Sequence, residues 1–206
     1  ILTRTPLRVS FFGGGTDLPN FFNKKFGHVI SSSIDRYVYT SIKSHDNLFN
    51  ENYRLNYSIT EHVHGNIGKI KNNLIRSCLR FLNIKENMHI TISTDIPSMS
   101  GLGSSSSIIV GLLKAIHVYK NKKISDKKLA EIACKIEIDI MNNPIGKQDQ
   151  YSAVYGGFKS YKFYKGNKVF VKKLKKTIIK KIFRNLIFVW VGNFKESKKI
   201  LNDQNK

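Results

Sequence analysis

The stretch Pro97-Ser98-Met99-Ser100-Gly101-Leu102-Gly103 runs directly into four serines, Ser104 to Ser107. Alternation predicts a strand over Met88 to Thr94 ahead of it, and apolar periodicity predicts a helix from about Ser104 to Tyr119 behind it. Two closely spaced glycines let backbone amides turn toward one point, and a helix starting there adds N–H groups with no intrahelical acceptor. The aligned peptide dipoles favour an anion at that point, so the stretch has the chemistry of a phosphate cradle. Its hydroxyls can bond phosphate oxygens or ligate Mg²⁺, a hard cation that prefers oxygen. The plain alternative is a Gly/Ser turn that only caps a helix. Pro97, the serine run and the strand-to-helix setting weigh against it.

Two familiar cradles are excluded by letter. A Walker A loop needs Lys and then Ser or Thr after its last glycine, whereas Ser104 follows Gly103 directly. The dinucleotide fingerprint needs Gly at position 106, which is Ser106. A second stretch with chemical potential is Gly13-Gly14-Gly15-Thr16-Asp17, where the glycines permit close approach of a ligand to the backbone. Asp17 either caps the short turn through Leu18, Phe21 and Phe22 or accepts hydrogen bonds from a ligand's hydroxyls. His62 and His64 alternate without neighbouring carboxylates and read as loop residues rather than metal ligands.

The pattern P-x-x-x-G-L-G-S-S resembles the second signature of the GHMP kinases, the superfamily of galactokinase, homoserine kinase, mevalonate kinase and phosphomevalonate kinase. Arg4-Thr5-Pro6-Leu7-Arg8-Val9-Ser10-Phe11-Phe12-Gly13-Gly14-Gly15-Thr16-Asp17-Leu18 looks like its N-terminal sugar-binding signature. Asn143-Pro144-Ile145-Gly146-Lys147-Gln148-Asp149-Gln150-Tyr151, followed by Tyr155-Gly156-Gly157-Phe158, resembles the segment that carries the catalytic aspartate. The G-G-G-T-D and G-K-Q-D-Q-Y wording is similar to the bacterial branch that acts on D-glycero-D-manno-heptose 7-phosphate.

The resemblance implies an α+β fold with two domains. A ribosomal-protein-like N-terminal domain over 1–158 would bind sugar and ATP, and 159–206 would begin a ferredoxin-like C-terminal domain. It implies an ATP-dependent sugar kinase, with the anomeric O1 of the heptose 7-phosphate as the sharpest acceptor. Asp149 would take the acceptor proton with Arg8 beside it. Ser10, Gly14, Gly15, Thr16, Asp17 and Lys147 would contact the sugar, Lys147 through a distal phosphate unless it is simply solvent-exposed. Pro97, Ser100, Gly101, Leu102, Gly103, Ser104, Ser105 and Ser106 would bind ATP. Mg²⁺ would sit on Ser105 (or Ser104) and Glu137, unless Glu137 is a surface carboxylate. Gly14 and Gly15 stand where the superfamily often has larger residues, which opens space for a bulkier sugar. A kinase for another sugar such as fucose, a basic RNA-binding module and an inactive remnant are the other readings.

The 206 residues suffice for one sizeable core, and 41% hydrophobic residues fits a globular protein without a bilayer span. The N-terminus lacks the basic-then-apolar order of a signal peptide, and with it the expectation is a cytoplasmic protein with no membrane partner. A homodimer is left open. A net charge of +21 invites a nucleic-acid reading, but the lysines are scattered and accompany no RNP-type aromatic motif or zinc-finger spacing. Nucleic acid is therefore not the expected partner, while the positive field would attract ATP and a sugar phosphate. Cys78 and Cys134 lie in apolar helical patterns and read as buried thiols.

Further elements must position these motifs. Residues 4–12 predict a strand with Arg8 and Ser10 on one face. His28 to Ser33 and Tyr37 to Lys43 predict a pair of strands around Asp35-Arg36, with 44–66 as a polar loop. Ile67, Ile70, Leu74, Cys78 and Leu82 predict a helix of about four turns. Ser125 or Asp126 caps another, with the stripe Leu129, Ile132, Ala133, Ile136 and Ile140, and Glu137 at its margin. Beyond Gly157 the pattern is β-like, then Leu186 to Val191 predicts a strand and Glu196 to Asp203 a helix. No initiating Met is present and no third, glycine-rich signature is found, so a fragment or truncated product is expected.

Overall fold

The computed structural model describes residues 1–97 and 100–189. One mixed sheet is backed on one face by helices. Strand β1 (Leu2–Phe12) runs antiparallel to β2 (Gly27–Ser44), an unbroken strand of 18 residues. The turn expected at Asp35-Arg36 does not form. No glycine follows Asp35 to complete a two-residue hairpin turn, and β1 pairs with β2 on both sides of that point. The C-terminal half of β2 pairs with β5 (Met88–Thr94) and its N-terminal half with β6 (Phe158–Tyr164).

The polar stretch after residue 44 contains two short strands, β3 (Tyr53–Asn56) and β4 (Thr60–Val63), with β3 parallel to β5. Strand β7 (Lys168–Lys173) closes the other end, giving the order β4-β3-β5-β2-β6-β7 with β1 on β2. The division expected after residue 158 coincides with the start of β6. Hydrogen bonds from β6 to β2 and β7 keep the chain through Lys173 in the same sheet as the residues before it.

After α1 (Pro19–Phe22), the helix expected from residue 67 is a short 3-10 turn at Ile67–Lys69 and then α2 (Asn73–Phe81). The Asn72 side chain accepts the Ile75 N–H and starts α2 late. Helix α3 (Ser104–Tyr119) crosses β1 and β2. Gly111 permits its approach, since a Cβ there would lie 2.8 Å from Thr5 Oγ1 and 3.2 Å from Thr40 Oγ1. Ile109, Leu112, Leu113 and Ile116 of α3 meet Ile75 and Leu79 of α2 and Ile42, Leu55 and Ile90 of the sheet in the main core.

Helix α4 (Asp126–Cys134) is capped by Ser125 and passes into a π-helical turn, Lys135–Ile140. The wider turn breaks the 3.6-residue stripe, so Ile136 is buried while Ile140 is exposed. Helix α5 (Gln148–Tyr155) packs on α3 and α4, and α6 (Lys176–Phe183) follows β7. Leu186 to Val189 are exposed and form no strand, and the expected helix at 196–203 lies outside the described residues. Among the described residues no helix is long and apolar enough to cross a membrane.

Candidate active site

Strand β1 changes register between Pro6 and Arg8 and again between Ser10 and Phe12. Such bulges re-aim side chains, and here they bracket Arg8, which is largely buried. Its Nε and Nη2 donate to the two carboxylate oxygens of Asp149 at 2.7 and 2.6 Å. Its Nη1 donates to the Gly101 carbonyl at 2.7 Å, and its main-chain N–H to the Leu102 carbonyl at 3.1 Å. One guanidinium thus joins the first strand, the Gly/Ser turn and α5. The fork geometry of Arg, with donors on three nitrogens, is what permits this; Lys could not make both ends.

Gly103 sits at φ 78° as the residue before α3, a conformation that favours glycine. A Cβ there would be 3.3 Å from Asp149 Oδ2 and 3.5 Å from Arg8 Cγ, so the turn and the carboxylate lie against each other. By helix geometry the amides of Ser104, Ser105 and Ser106 lack intrahelical acceptors and open onto the same side as the turn. The hydroxyls divide differently from the amides. Ser105 and Ser106 donate to Glu137 Oε1 and Oε2, each at 2.6 Å, and Ser107 donates to the Pro6 carbonyl at 2.9 Å. Ser106 is buried and its hydroxyl is committed to Glu137. The Leu102 side chain lies in a small core with Leu7 and Val38, leaving its backbone to the cradle. Pro97 is exposed, Ser98 and Met99 lie outside the described residues, and Ser100 Oγ is buried with no hydrogen-bond partner among the described residues.

Glu137 stands in the π-helical turn and is 1% exposed, which removes the surface-carboxylate reading. Gln150 Nε2 donates to its Oε2 at 2.7 Å, a third donor. Burial pushes the Glu137 carboxyl up, against the pull of the Ser105, Ser106 and Gln150 bonds, and the nearby Asp149 charge adds to the rise. Ser105 and Glu137 offer only oxygen donors at one point beside the turn, a set that fits Mg²⁺. Among the described residues no three His, Cys, Asp or Glu side chains cluster to hold a metal, so phosphate oxygens and water would complete the shell.

The glycine loop is placed by Asp17, which is 1% exposed. Its Oδ1 accepts the Gly15 N–H at 3.1 Å and its Oδ2 the Gln148 N–H at 2.9 Å. It does not cap α1, whose N-cap position is Leu18 and which has no side-chain cap. Each of its oxygens thus accepts one main-chain amide. Burial raises its carboxyl, opposed by the Gln148 N–H. Thr16 is similarly occupied, donating to the Gly13 carbonyl at 2.7 Å and accepting the His28 N–H at 3.0 Å. Gly14 and Ser10 stay beside Gln148: a Cβ on Gly14 would be 3.9 Å from Gln148 Nε2 and 4.0 Å from Ser10 Oγ.

Lys147 goes elsewhere. Its ammonium bonds Asn167 Oδ1 and lies 5.0 Å from the centre of the Phe22 ring, in a groove of about 740 Å³ that neither Asp149 nor the cradle lines. Burial lowers its pKa. Gln148 and Gln150 escaped sequence reasoning because uncharged amides give no electrostatic signal. Their positions on either side of Asp149, at the start of a helix, were the available clue.

Residues 73–157 match the family model described as the GHMP kinases N terminal domain, and the chain carries that domain. Among individual relatives, the chain is 34% identical over 184 residues to D-glycero-alpha-D-manno-heptose 7-phosphate kinase of Campylobacter jejuni, covering 85% of this chain and 54% of that protein. It is similar in structure to a D-glycero-D-manno-heptose 1-phosphate kinase from Bacteriodes thetaiotaomicron, with TM-score 0.78 and 26% identity over 87% of this chain and 62% of that one. The mevalonate kinase of Methanococcus jannaschii gives TM-score 0.63 and 28% identity, covering 85% and 56% of the two chains. The chain spans about half the length of the curated heptose kinase it matches.

Proposed function

We propose that the full-length protein is an ATP-dependent kinase acting on a sugar or sugar phosphate, with the anomeric O1 of D-glycero-D-manno-heptose 7-phosphate as the acceptor. The observation that carries this reading is Arg8, which bonds Asp149 and the Gly101 carbonyl together and so sets a carboxylate against an anion-binding turn. The similarity to a heptose 7-phosphate kinase supports the choice of acceptor.

Phosphoryl transfer rests mainly on positioning and on neutralising charge around the phosphoryl oxygens. The amides that begin α3, with the positive end of its dipole, would hold the ATP phosphates. Ser105 and Glu137 would hold Mg²⁺, which supplies charge neutralisation between phosphate groups when bound. Asp149 accepts two bonds from Arg8 and retains lone pairs for the acceptor hydroxyl, whose proton it would take as that oxygen bonds the γ-phosphorus and the bond to the β,γ-bridging oxygen breaks, releasing ADP. Arg8 then holds the protein side of the charge balance and keeps the carboxylate aimed. Gly14 and Ser10 would lie along the sugar.

The test is to incubate the full-length protein with ATP, Mg²⁺ and D-glycero-D-manno-heptose 7-phosphate and follow the product by phosphorus NMR. A new anomeric phosphate, lost in Asp149→Ala, supports the reading. Absence of transfer to this heptose and to a panel of hexose and heptose phosphates refutes it.

A further inference from the structure

At its β6–β7 end the sheet carries an unusual surface on the face turned away from the core helices. Tyr161, Phe163, Val169 and Val171 point to the helix side, into a cluster with Phe22 and Val29. Alternation therefore sends Ser160, Lys162, Tyr164, Lys168, Phe170 and Lys172 to the other face. Register sets Tyr164 beside Lys168, Lys162 beside Phe170 and Ser160 beside Lys172, so rings and ammonium groups alternate across the hairpin. Phe26, the residue before β2, stacks on Tyr164 with ring centres 5.8 Å apart, and Phe170 meets Tyr164 edge-on at 5.5 Å. The Lys162 ammonium lies 5.8 Å from the centre of the Phe26 ring. A hollow of about 370 Å³ opens between Ser160, Lys162, Tyr164, Phe170 and Lys172.

Charge on this surface has a single sign. Among the described residues no carboxylate lines the hollow, and the chain has no Asp or Glu from residue 150 to 189. Lys162, Lys168 and Lys172 are exposed, and none of them forms an ion pair among the described residues. Lysines alone would serve only to guard the open edge at β7 against strand pairing. Phe26 and Phe170 are 55% and 63% exposed, and exposed rings work against such a guard, so edge protection does not account for them. The lysines look scattered along the chain, and strand pairing gathers them with rings from residues 26, 164 and 170.

We propose that this face binds single-stranded nucleic acid, with a base against Phe170 in the hollow and phosphates on Lys162, Lys168 and Lys172. Every base has a π-face that stacks on an aromatic ring, and cations beside the ring follow the backbone. A second copy of the chain would bring the same lysines against one another. A lipid surface takes rings that protrude, whereas Tyr164 and Phe170 wall a hollow. A base with its phosphate uses both the concavity and the charge. The face stands apart from phosphoryl transfer, since none of its residues belongs to the Gly/Ser turn or bonds Asp149.

The experiment follows the fluorescence anisotropy of labelled oligo(U) and oligo(dT), each of about 12 nucleotides, with the full-length protein over a range of KCl concentrations. The wild type should bind both, more weakly as salt rises. Phe170→Ala removes an exposed ring and no charge, so it should melt like the wild type and yet bind about tenfold more weakly. Lys162→Ala and Lys172→Ala should each lower the slope of log K against log salt by about 0.7. Lys122→Ala makes the same charge change on the turn after α3 and should weaken binding less than either. Failure of the wild type to bind either oligonucleotide overturns the proposal. Equal affinity of the wild type and Phe170→Ala does so too, because diffuse attraction to a basic chain gives that result. Binding to phosphatidylserine vesicles in place of the oligonucleotides, lost in Phe170→Ala, would assign the face to a membrane and overturn it as well. None of these readouts involves sugar phosphorylation, so their outcome is independent of the kinase reading.

Discussion

The carboxylate of Asp17 accepts the main-chain N–H of Gln148 at 2.9 Å, tying the glycine loop after β1 to the first residue of the helix that bears Asp149. Gly146 makes room for this bond, because a Cβ there would lie 1.9 Å from Asp17 Oδ2. Asp17→Ala leaves two partly buried amides without acceptors and should cost about 2 kcal/mol in urea unfolding. Gly146→Ala should displace the same carboxylate and accelerate amide exchange at Gln148. The double variant should cost less than the sum of the two, since both remove one interaction.

Arg8 bonds at both ends, so shortening its reach separates two effects. Arg8→Lys should lower kcat of the full-length enzyme about a hundredfold with KM for ATP little changed, because a misplaced Asp149 affects the transition state more than nucleotide binding. Asp149→Asn should cost between about a hundredfold and ten-thousandfold in kcat, the usual range for a lost general base. Steady-state kinetics on the two variants checks both.

Gln150 is 0% exposed and donates to Glu137 at 2.7 Å, while its carbonyl oxygen faces the Cys134 thiol at 3.7 Å. Gln150→Leu should remove one of three donors holding Glu137 and reduce stability by about 2 kcal/mol. Its half-saturating Mg²⁺ concentration should rise severalfold, since outer partners orient the groups that bind a metal. Mn²⁺ binding followed by electron paramagnetic resonance reads the same change without turnover.

Glu51 gives the pH dependence its clearest sign. A bond from its own main-chain N–H, then Arg54 and His62, hold its carboxyl at about 2 against the effect of desolvation. Its folded value lies below the unfolded one, so its contribution is present above the ordinary carboxylate range and disappears as pH falls toward about 2. The stability difference between wild type and Glu51→Gln should hold steady from pH 7 to about 5 and shrink below that. Asp17 and Glu137 work in the opposite sense, because burial raises both carboxyls and their protonation favours the folded chain. Urea midpoints across this range, compared pairwise with each variant, separate the two signs.

Gly111→Ala would drive a methyl group into Thr5 Oγ1 and Thr40 Oγ1. The variant should lose about 1–3 kcal/mol despite the better helix propensity of alanine, as overpacking at a helix-to-sheet contact requires. Thermal melting decides it.

What could be read from the residues alone follows physical lines. β5 and α3 were legible because alternation and helical period were unbroken, and the Gly/Ser turn because glycine and serine have few other reasons to cluster. β2 was misread as two strands: a charged Asp35-Arg36 pair resembles a turn until the partner strand that spans it is known. β3 and β4 were hidden because four-residue strands in a polar stretch carry too little alternation to register. The π-helical turn is invisible to any argument based on 3.6 residues, yet it is the turn that buries Glu137. For Asp17 an acidic residue after three glycines suggests a ligand contact or a cap, and only the fold reveals the two main-chain amides that it accepts.

The three anchors that Arg8 joins lie far apart in the chain, at residues 8, 101 and 149, with separations of 93 and 141 residues. During synthesis the N-terminal strand leaves the ribosome long before its partners exist. A nascent chain that ends before α5 therefore has the Gly101 carbonyl for that guanidinium but lacks the carboxylate that takes its two other bonds, however much of its sheet has formed. The Arg8–Asp149 pair should form late in translation, as a single long-range closure rather than by gradual gain.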